Sequence, residues 1–593
     1  MPPYGKAVFT PAEVEVGSCA TVSLEYTVGD APILSGGAMW LRFLHRRSFA
    51  SLQTDDPAKA GYISAATSVQ GAKAEIALQS GAWLDISLRI AGGRLSPGEK
   101  ITITFGDTAG GGPGFQIPQV ARDHEAVVWL DPDGSGDFTR LTEPMILQFA
   151  AGPATQLIAL APSQAAAGER FDLHVKAADK FGNPVASYRG AVFFVSEECD
   201  VLPSDYTFRE SDHGVHRFAA AAASARLGPN RITVKDNEGR LSATTNPIVI
   251  VSKPPDLKMY WGRIHGYSIL SDGAAAPDEY YRHGRDVDML DVCALSDHDG
   301  TIRQAEREPL AVPPPFWASP AQAAAILKYE ANRFYKPGRF VTLSAHEWKP
   351  EGAFGSRRIY DWDEEQPMLS SHAWESGTAG KLYALLNQRR AVVVTQPLPN
   401  ERNYDAAKDR LIEIYSGRGN IEFPGCPLPA DEAWAGGYVQ ELLAQGRKLG
   451  FVAGSDDGDA NPRKGATLFL AEALTREAIL EAMHARRCYA TTGPRIFLSF
   501  TLNGFIMGEE ITVADPEESR VLSVRVAGTD AIDHIDIVKN NDELYRQDGA
   551  GPTAEFEYAD QTPVAGTDFY YVRVTQADDE MAWSSPIWVS ARE

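Results

Sequence analysis

The residues best equipped for chemistry lie in four short strings. Tyr260-Trp261-Gly262-Arg263-Ile264-His265-Gly266-Tyr267-Ser268 carries a histidine out of an apolar run, and Ser271-Asp272-Gly273 adds a carboxylate just after it. A second apolar run ends in Leu295-Ser296-Asp297-His298-Asp299. A third, Val341-Thr342-Leu343-Ser344-Ala345, ends in His346-Glu347, and a fourth, Phe451-Val452-Ala453-Gly454-Ser455, ends in Asp456-Asp457. Parallel barrels bring the C-terminal ends of their strands to one rim, so side chains delivered in this way converge. A mixed set of imidazoles and carboxylates suits Zn, Mn or Fe. Such an ion would activate a water for hydrolysis or polarise a carbonyl or phosphoryl oxygen. Each string also has an ordinary reading. Ser271-Asp272-Gly273 is a common turn, Asp297 and Asp299 suit helix N-caps, and a buried histidine is often structural.

The elements needed to position these residues are legible between 257 and 493. Short apolar strands alternate there with helical stretches. Strands are expected at Leu290 to Leu295, Arg339 to Ser344, Ala391 to Thr395, Leu411 to Tyr415 and Phe451 to Ala453. Helices are expected at Pro277 to Arg285, Pro320 to Phe334, Gly380 to Arg389, Tyr438 to Lys448 and Thr475 to Arg486. Alternation over this length predicts a parallel sheet closed into a barrel. Residues 1–152 and 153–255 read as two all-β units, the second immunoglobulin-like, with Ser252-Lys253-Pro254-Pro255-Asp256 as a linker. Residues 494–593 return to β character and read as a third sandwich.

Charge narrows the partners. The chain has 593 residues, 56 basic against 79 acidic side chains and a net charge of -23, which disfavours nucleic acid and anionic membrane surfaces. A small anion could still find a local cationic pocket. The five cysteines are scattered and form no C-x-x-C pair, as expected of free thiols in a reducing compartment. Met-Pro-Pro-Tyr-Gly-Lys has no signal-peptide character and no apolar run spans a bilayer, so the expected location is the cytoplasm. Oligomeric state is open. Asp131-Pro132-Asp133-Gly134-Ser135-Gly136-Asp137 resembles a calcium loop but lacks the acid at the twelfth position, so a turn is expected there.

Taken in order, the four strings resemble the polymerase-and-histidinol-phosphatase (PHP) superfamily of metal-dependent hydrolases. Glu279-Tyr280-Tyr281-Arg282, Arg487-Cys488-Tyr489-Ala490-Thr491-Thr492-Gly493 and Ala582-Trp583-Ser584-Ser585-Pro586-Ile587-Trp588 extend the likeness to one branch of it, the domain of unknown function 3604 family. The resemblance implies a multidomain α/β plus all-β chain, in which a distorted PHP-like (β/α)7 barrel is flanked by N-terminal β domains and a C-terminal β-sandwich. It implies His265, Asp272, His298, Glu347 and Asp456 as metal ligands. Other ligand positions depart from the family pattern. Arg263 and Tyr267 stand where an acid and a histidine are usual, Ser356 and Gln396 replace two histidines, and Gly458 ends the late Ser455-Asp456-Asp457-Gly458 motif.

Losing imidazoles and gaining a guanidinium disfavours a full cluster of dications. One divalent ion (Mn, Zn or Fe), with a weaker second site at most, is the expectation. The expected activity is hydrolysis of a small ester-like or phosphoester substrate through a metal-activated water. In it Asp297, His298 and Arg263 take catalytic parts and Tyr267, Gln396 and Arg357 contact substrate. Arg263, Arg357 and Arg358 would form an anion clamp on one reading and ordinary ion pairs on another. The competing expectation is an inactive barrel serving as a binding protein, with Arg263 paired to Glu347 or Asp456 in place of the metal.

Overall fold

The computed structural model describes residues 4–592 apart from 44–48, 50, 81–83, 142–144, 274, 300–319, 351–354, 364, 397–403, 431–436 and 456–464. Asp456, Asp457 and Gly458 lie outside the described residues.

Two β units precede the barrel. Residues 6–150 form a sandwich whose main sheets have four and seven strands, and 156–251 form a second unit of three smaller sheets. The alternating strand Phe171–Ala178 shows the principle, with Leu173, Val175 and Ala177 buried in the unit's own core. Its other face, carrying Asp172, His174 and Lys176, turns towards the barrel. The expected turn at Asp131 is present, since its carboxylate accepts the backbone N–H groups of Gly134, Ser135 and Gly136.

The strands of the expected barrel are Lys258–Arg263, Val292–Leu295, Val341–Trp348, Arg357–Asp361, Ala391–Thr395, Asp409–Ser416 and Gly450–Ala453; Ala466–Ala471 pairs with the first, and among the described residues the seventh pairs with the sixth and not with the first. The first three run parallel, and so do the fifth, sixth and seventh. Arg357–Asp361 is antiparallel to both its neighbours. The regular (β/α)7 alternation is therefore not what the chain builds. The third and fourth strands form an antiparallel pair, and the five α-helices among the described residues are few for such a barrel. Ile264, Val292, Ala294, Leu343, Val394 and Val452 fill the interior.

The C-terminal sandwich is not an appendage. Cys488–Thr491 pairs with Met581–Ser584, so one sixteen-stranded sheet runs from the barrel into the last sandwich. A single apolar cluster likewise joins Trp261, Leu295 and Phe340 to Val524, Ile537 and Val589. The five cysteines are free thiols, four of them buried. No helix of the described residues is long and apolar enough to cross a membrane.

Candidate functional site

The site grows from the chain leaving the first barrel strand. Past Arg263 it turns through Ile264-His265-Gly266-Tyr267-Ser268, and Asp297 fixes the turn. One Asp297 oxygen accepts the Ser268 N–H at 2.9 Å, the Ser268 hydroxyl at 3.0 Å and the Ser271 hydroxyl at 2.6 Å. The loop carrying His265, Tyr267 and Asp272 is thus tied to the end of the second strand. Asp297 is fully buried, and burial pushes its carboxyl up against the effect of those donors. Its place is that of a loop anchor. The other oxygen, Oδ2, makes no hydrogen bond among the described residues.

Within this frame six side chains form a chain of contacts. Both oxygens of Glu413 lie on His265 Nδ1, at 2.8 and 2.9 Å. His265 Nε2 meets the Tyr267 hydroxyl at 2.8 Å, and that hydroxyl donates to Glu347 Oε2 at 2.6 Å. His298 Nδ1 stands 3.4 Å from the same Glu347 oxygen, and its Nε2 is 2.9 Å from Asp272 Oδ2. His265, Tyr267, His298 and Glu347 are at most 3% exposed, while the Asp272 side chain is 40% exposed and opens the series to solvent. The Tyr267 ring lies against the His298 ring with centroids 4.3 Å apart.

Register explains the convergence. His298 forms an isolated bridge with Glu347, which in turn faces Arg358 across the antiparallel pair. Gly454 lets the seventh strand come close, because a Cβ there would overlap the Glu413 carboxylate and the His265 side chain. Burial alone would raise the Glu347 carboxyl; His298, His265 and Arg358, with Ser356, overcome this and lower it to about 2. Burial disfavours the His298 imidazolium, but Glu347 and Asp272 raise it overall.

The cationic residues are arranged differently from expectation. Arg263 shares its strand face with Trp261, outside the barrel, and pairs with Asp288 at 3.0 Å. It makes no pair with Glu347, and neither a catalytic role nor a metal-replacing one suits that position. Arg357 is also directed away. It donates to the Tyr383 hydroxyl at 2.9 Å and to the carbonyls of Gly355 and Ser356, so it is committed to packing rather than substrate. Its neighbour Arg358 points to the opposite face, as strand alternation requires, and meets Glu413 at 3.1 Å. Gln396 comes to the edge of the cluster, since it accepts the Ser356 hydroxyl at 2.7 Å and Ser356 lies beside Glu347.

Two members, Glu413 and Arg358, were not singled out from sequence as parts of a metal site. The signal for Glu413 was a lone carboxylate in the apolar run Leu411-Ile412-Glu413-Ile414, since an unpaired acid is almost never fully buried. Arg358 required knowing the strand's phase.

The donor set can be tested against a metal. Two ligands of one tetrahedral ion with bonds of ~2.1 Å sit ~3.4 Å apart. His298 Nδ1 and Glu347 Oε2 match this at 3.4 Å, and His298 Nδ1 has no hydrogen-bond partner among the described residues. His265 Nε2 is 3.9 Å from the same oxygen, with the Tyr267 hydroxyl between them. Each imidazole has its other nitrogen on a carboxylate, the arrangement that orients metal-binding histidines. His298 and Glu347 could thus supply two ligands of one ion. They do not suit a cluster, because the Arg358 guanidinium already supplies positive charge beside Glu347 and Glu413. Among the described residues, no group of three or more His, Cys, Asp or Glu side chains is placed to hold a metal ion.

Comparison with known proteins gives a partial placement. An uncharacterised protein of Chlamydia pneumoniae is 27% identical over 552 residues, covering 84% of each chain. One from Chlamydia trachomatis serovar D is 27% identical over 513 residues, covering 78% of each. A solved two-domain protein of Bacteroides vulgatus, described as containing a predicted PHP-like metal-dependent phosphoesterase, aligns with a TM-score of 0.31 and 12% identity over 57% of this chain and 97% of that one. Residues 455–523, from the end of the seventh strand into the C-terminal sandwich, match the family described as protein of unknown function (DUF3604).

Proposed function

We propose that the chain is a hydrolase of small ester-like or phosphoester substrates that works with one divalent ion, Mn, Zn or Fe. The observation that carries this reading is the pair of carboxylate-held histidines, His265 on Glu413 and His298 on Asp272, on either side of Glu347. His265, His298 and Glu347 would hold the ion, with Asp456 as a further ligand by its motif. The ion would lower the pKa of a water to make a nucleophile at neutral pH. Tyr267 would give its hydroxyl proton as a hydrogen bond to a substrate oxygen, and Gln396 would help orient the substrate. Asp272 is the carboxylate of the series most open to solvent, which suits it to accept a proton as water attacks. Arg358 lies 3.1 Å from Glu413 and limits the positive charge the site can accept.

A second reading has its own supporting observation. The Tyr267 hydroxyl already satisfies His265 and Glu347, which closes the network without an ion. The barrel would then be an inactive scaffold that binds rather than cleaves.

Elemental analysis of protein purified without added metal, beside the Glu347→Ala variant, separates the two. Near-stoichiometric Mn, Fe or Zn that disappears in the variant supports the hydrolase and directs a screen of ester and phosphoester substrates. Metal absent from both proteins, even after incubation with those ions, overturns it in favour of the scaffold.

A further inference from the structure

The second β unit, the outer face of the barrel and the start of the C-terminal sandwich line a partly open cavity of about 460 Å³, separate from the histidine cluster. Its size lies within the ~300–1,000 Å³ usual for small-molecule sites. Leu157, Phe181, Trp261 and Leu290 give it an apolar body. Its charged lining is uneven, with Lys176, Arg263 and Arg495 against Asp288 and Glu580. Asp288 is taken by Arg263 at 3.0 Å, and Arg495 is spent on the carbonyls of Ala161 and Met289. Thr492 donates to Glu580.

Lys176 is the exception. It is only 3% exposed, lines the cavity, and makes no hydrogen bond or ion pair among the described residues. A buried ammonium without a partner is costly, and proteins keep buried charges paired. Strand alternation aims it here, because Leu173, Val175 and Ala177 occupy the other face of Phe171–Ala178. Burial lowers its pKa, and the charge of Asp288 offsets this only in part.

We propose that this cavity binds a small carboxylate with an apolar tail. The carboxylate sits against Lys176 beside Arg263, and the tail lies among Leu157, Phe181 and Leu290. Both the second β unit and the barrel would contact the ligand, so occupancy would also tighten their docking. The site is independent of the hydrolase reading.

Octanoate is the probe, with 1-octanol and octyltrimethylammonium as matched tails of different charge. Calorimetric titration of the full chain should show saturable one-site binding of octanoate, at least tenfold tighter than either control. Lys176→Met should weaken octanoate at least tenfold and leave octanol unchanged. In case that variant does not fold, the unsubstituted protein carries a second test. Acetylation of Lys176 by acetic anhydride, followed by peptide mass spectrometry, should slow at least fivefold in saturating octanoate while exposed lysines react as before. Equal binding of octanol, or Lys176 acetylation unaffected by octanoate, would overturn the proposal.

Discussion

Replacing Tyr267 by phenylalanine probes the centre of the site with one atom. The ring keeps its place against His298, while the hydroxyl that joins His265 Nε2 at 2.8 Å to Glu347 Oε2 at 2.6 Å is lost. A hydrogen bond to a charged group contributes about 1.5–3 kcal/mol, and an unsatisfied buried group costs a similar amount. In metal-free protein, Tyr267→Phe should therefore cost about 2–3 kcal/mol in the urea transition of the barrel and its continuous C-terminal sheet. The slope of that transition should not change. Added ion should then act unequally. The lost hydroxyl leaves His265 Nε2 and Glu347 Oε2 facing each other at 3.9 Å, which a metal with bonds of ~2.1 Å can bridge after a small contraction. An ion at one hundred times its dissociation constant stabilises by about 2.7 kcal/mol. Zn²⁺ or Mn²⁺ should thus recover most of the loss in the variant and stabilise the wild type less. A metal-free loss below ~0.5 kcal/mol would refute the reasoning, because the hydroxyl would then not be holding the two groups together.

Three further expectations use other parts of the molecule. Arg263→Met leaves buried Asp288 with His283 at 3.5 Å but without its guanidinium partner and should cost about 3 kcal/mol in denaturant unfolding while leaving metal content unchanged; a drop in metal content would put Arg263 back at the site. Gly454→Ala forces the seventh strand off Glu413 and His265 and should lower stability by about 1–3 kcal/mol, measured by thermal unfolding; an unchanged melting temperature would mean the close approach is not required. Asp361 is pushed up to about 6 by burial, against the pull of Arg389 and Lys328. The folded state holds this proton more tightly than the unfolded chain, so its contribution is complete below about pH 4 and is lost as pH rises to about 6. Relative to wild type, Asp361→Asn should gain up to roughly 3 kcal/mol across that window, and a flat difference would sink the assignment.

Several features of this site could be read from the chain and others could not. The strand ends bearing His265, His298 and Glu347 were legible because apolar runs of strand length stop abruptly at polar residues. Helices at Pro277–Asp286 and Pro320–Phe334 follow from apolar spacing and a proline at the first turn. The Arg357–Asp361 strand was not legible, since Arg357-Arg358 looks like an exposed basic pair until both are buried by opposite faces. That one strand breaks the strand–helix alternation and also exchanges the roles of the two arginines. Arg263 misled for a related reason. Its place in the family pattern suggested the rim, whereas the phase set by Trp261 sends it outward to Asp288. Asp297 and Glu413 show the same exchange in reverse, the apparent base serving as an anchor and an unremarked strand acid holding the histidine.

The pairing of Cys488–Thr491 with Met581–Ser584 also bears on how the protein is made. Synthesis proceeds from the N-terminus, and domains tend to fold as they emerge. The two leading β units can close early. The strand Cys488–Thr491 cannot be covered on both sides so early, because its second partner, Met581–Ser584, is made much later. Until then Cys488–Thr491 presents open backbone groups of the kind that recruit other strands. Nascent chains stalled before Met581 are thus the form of this protein most in need of a chaperone.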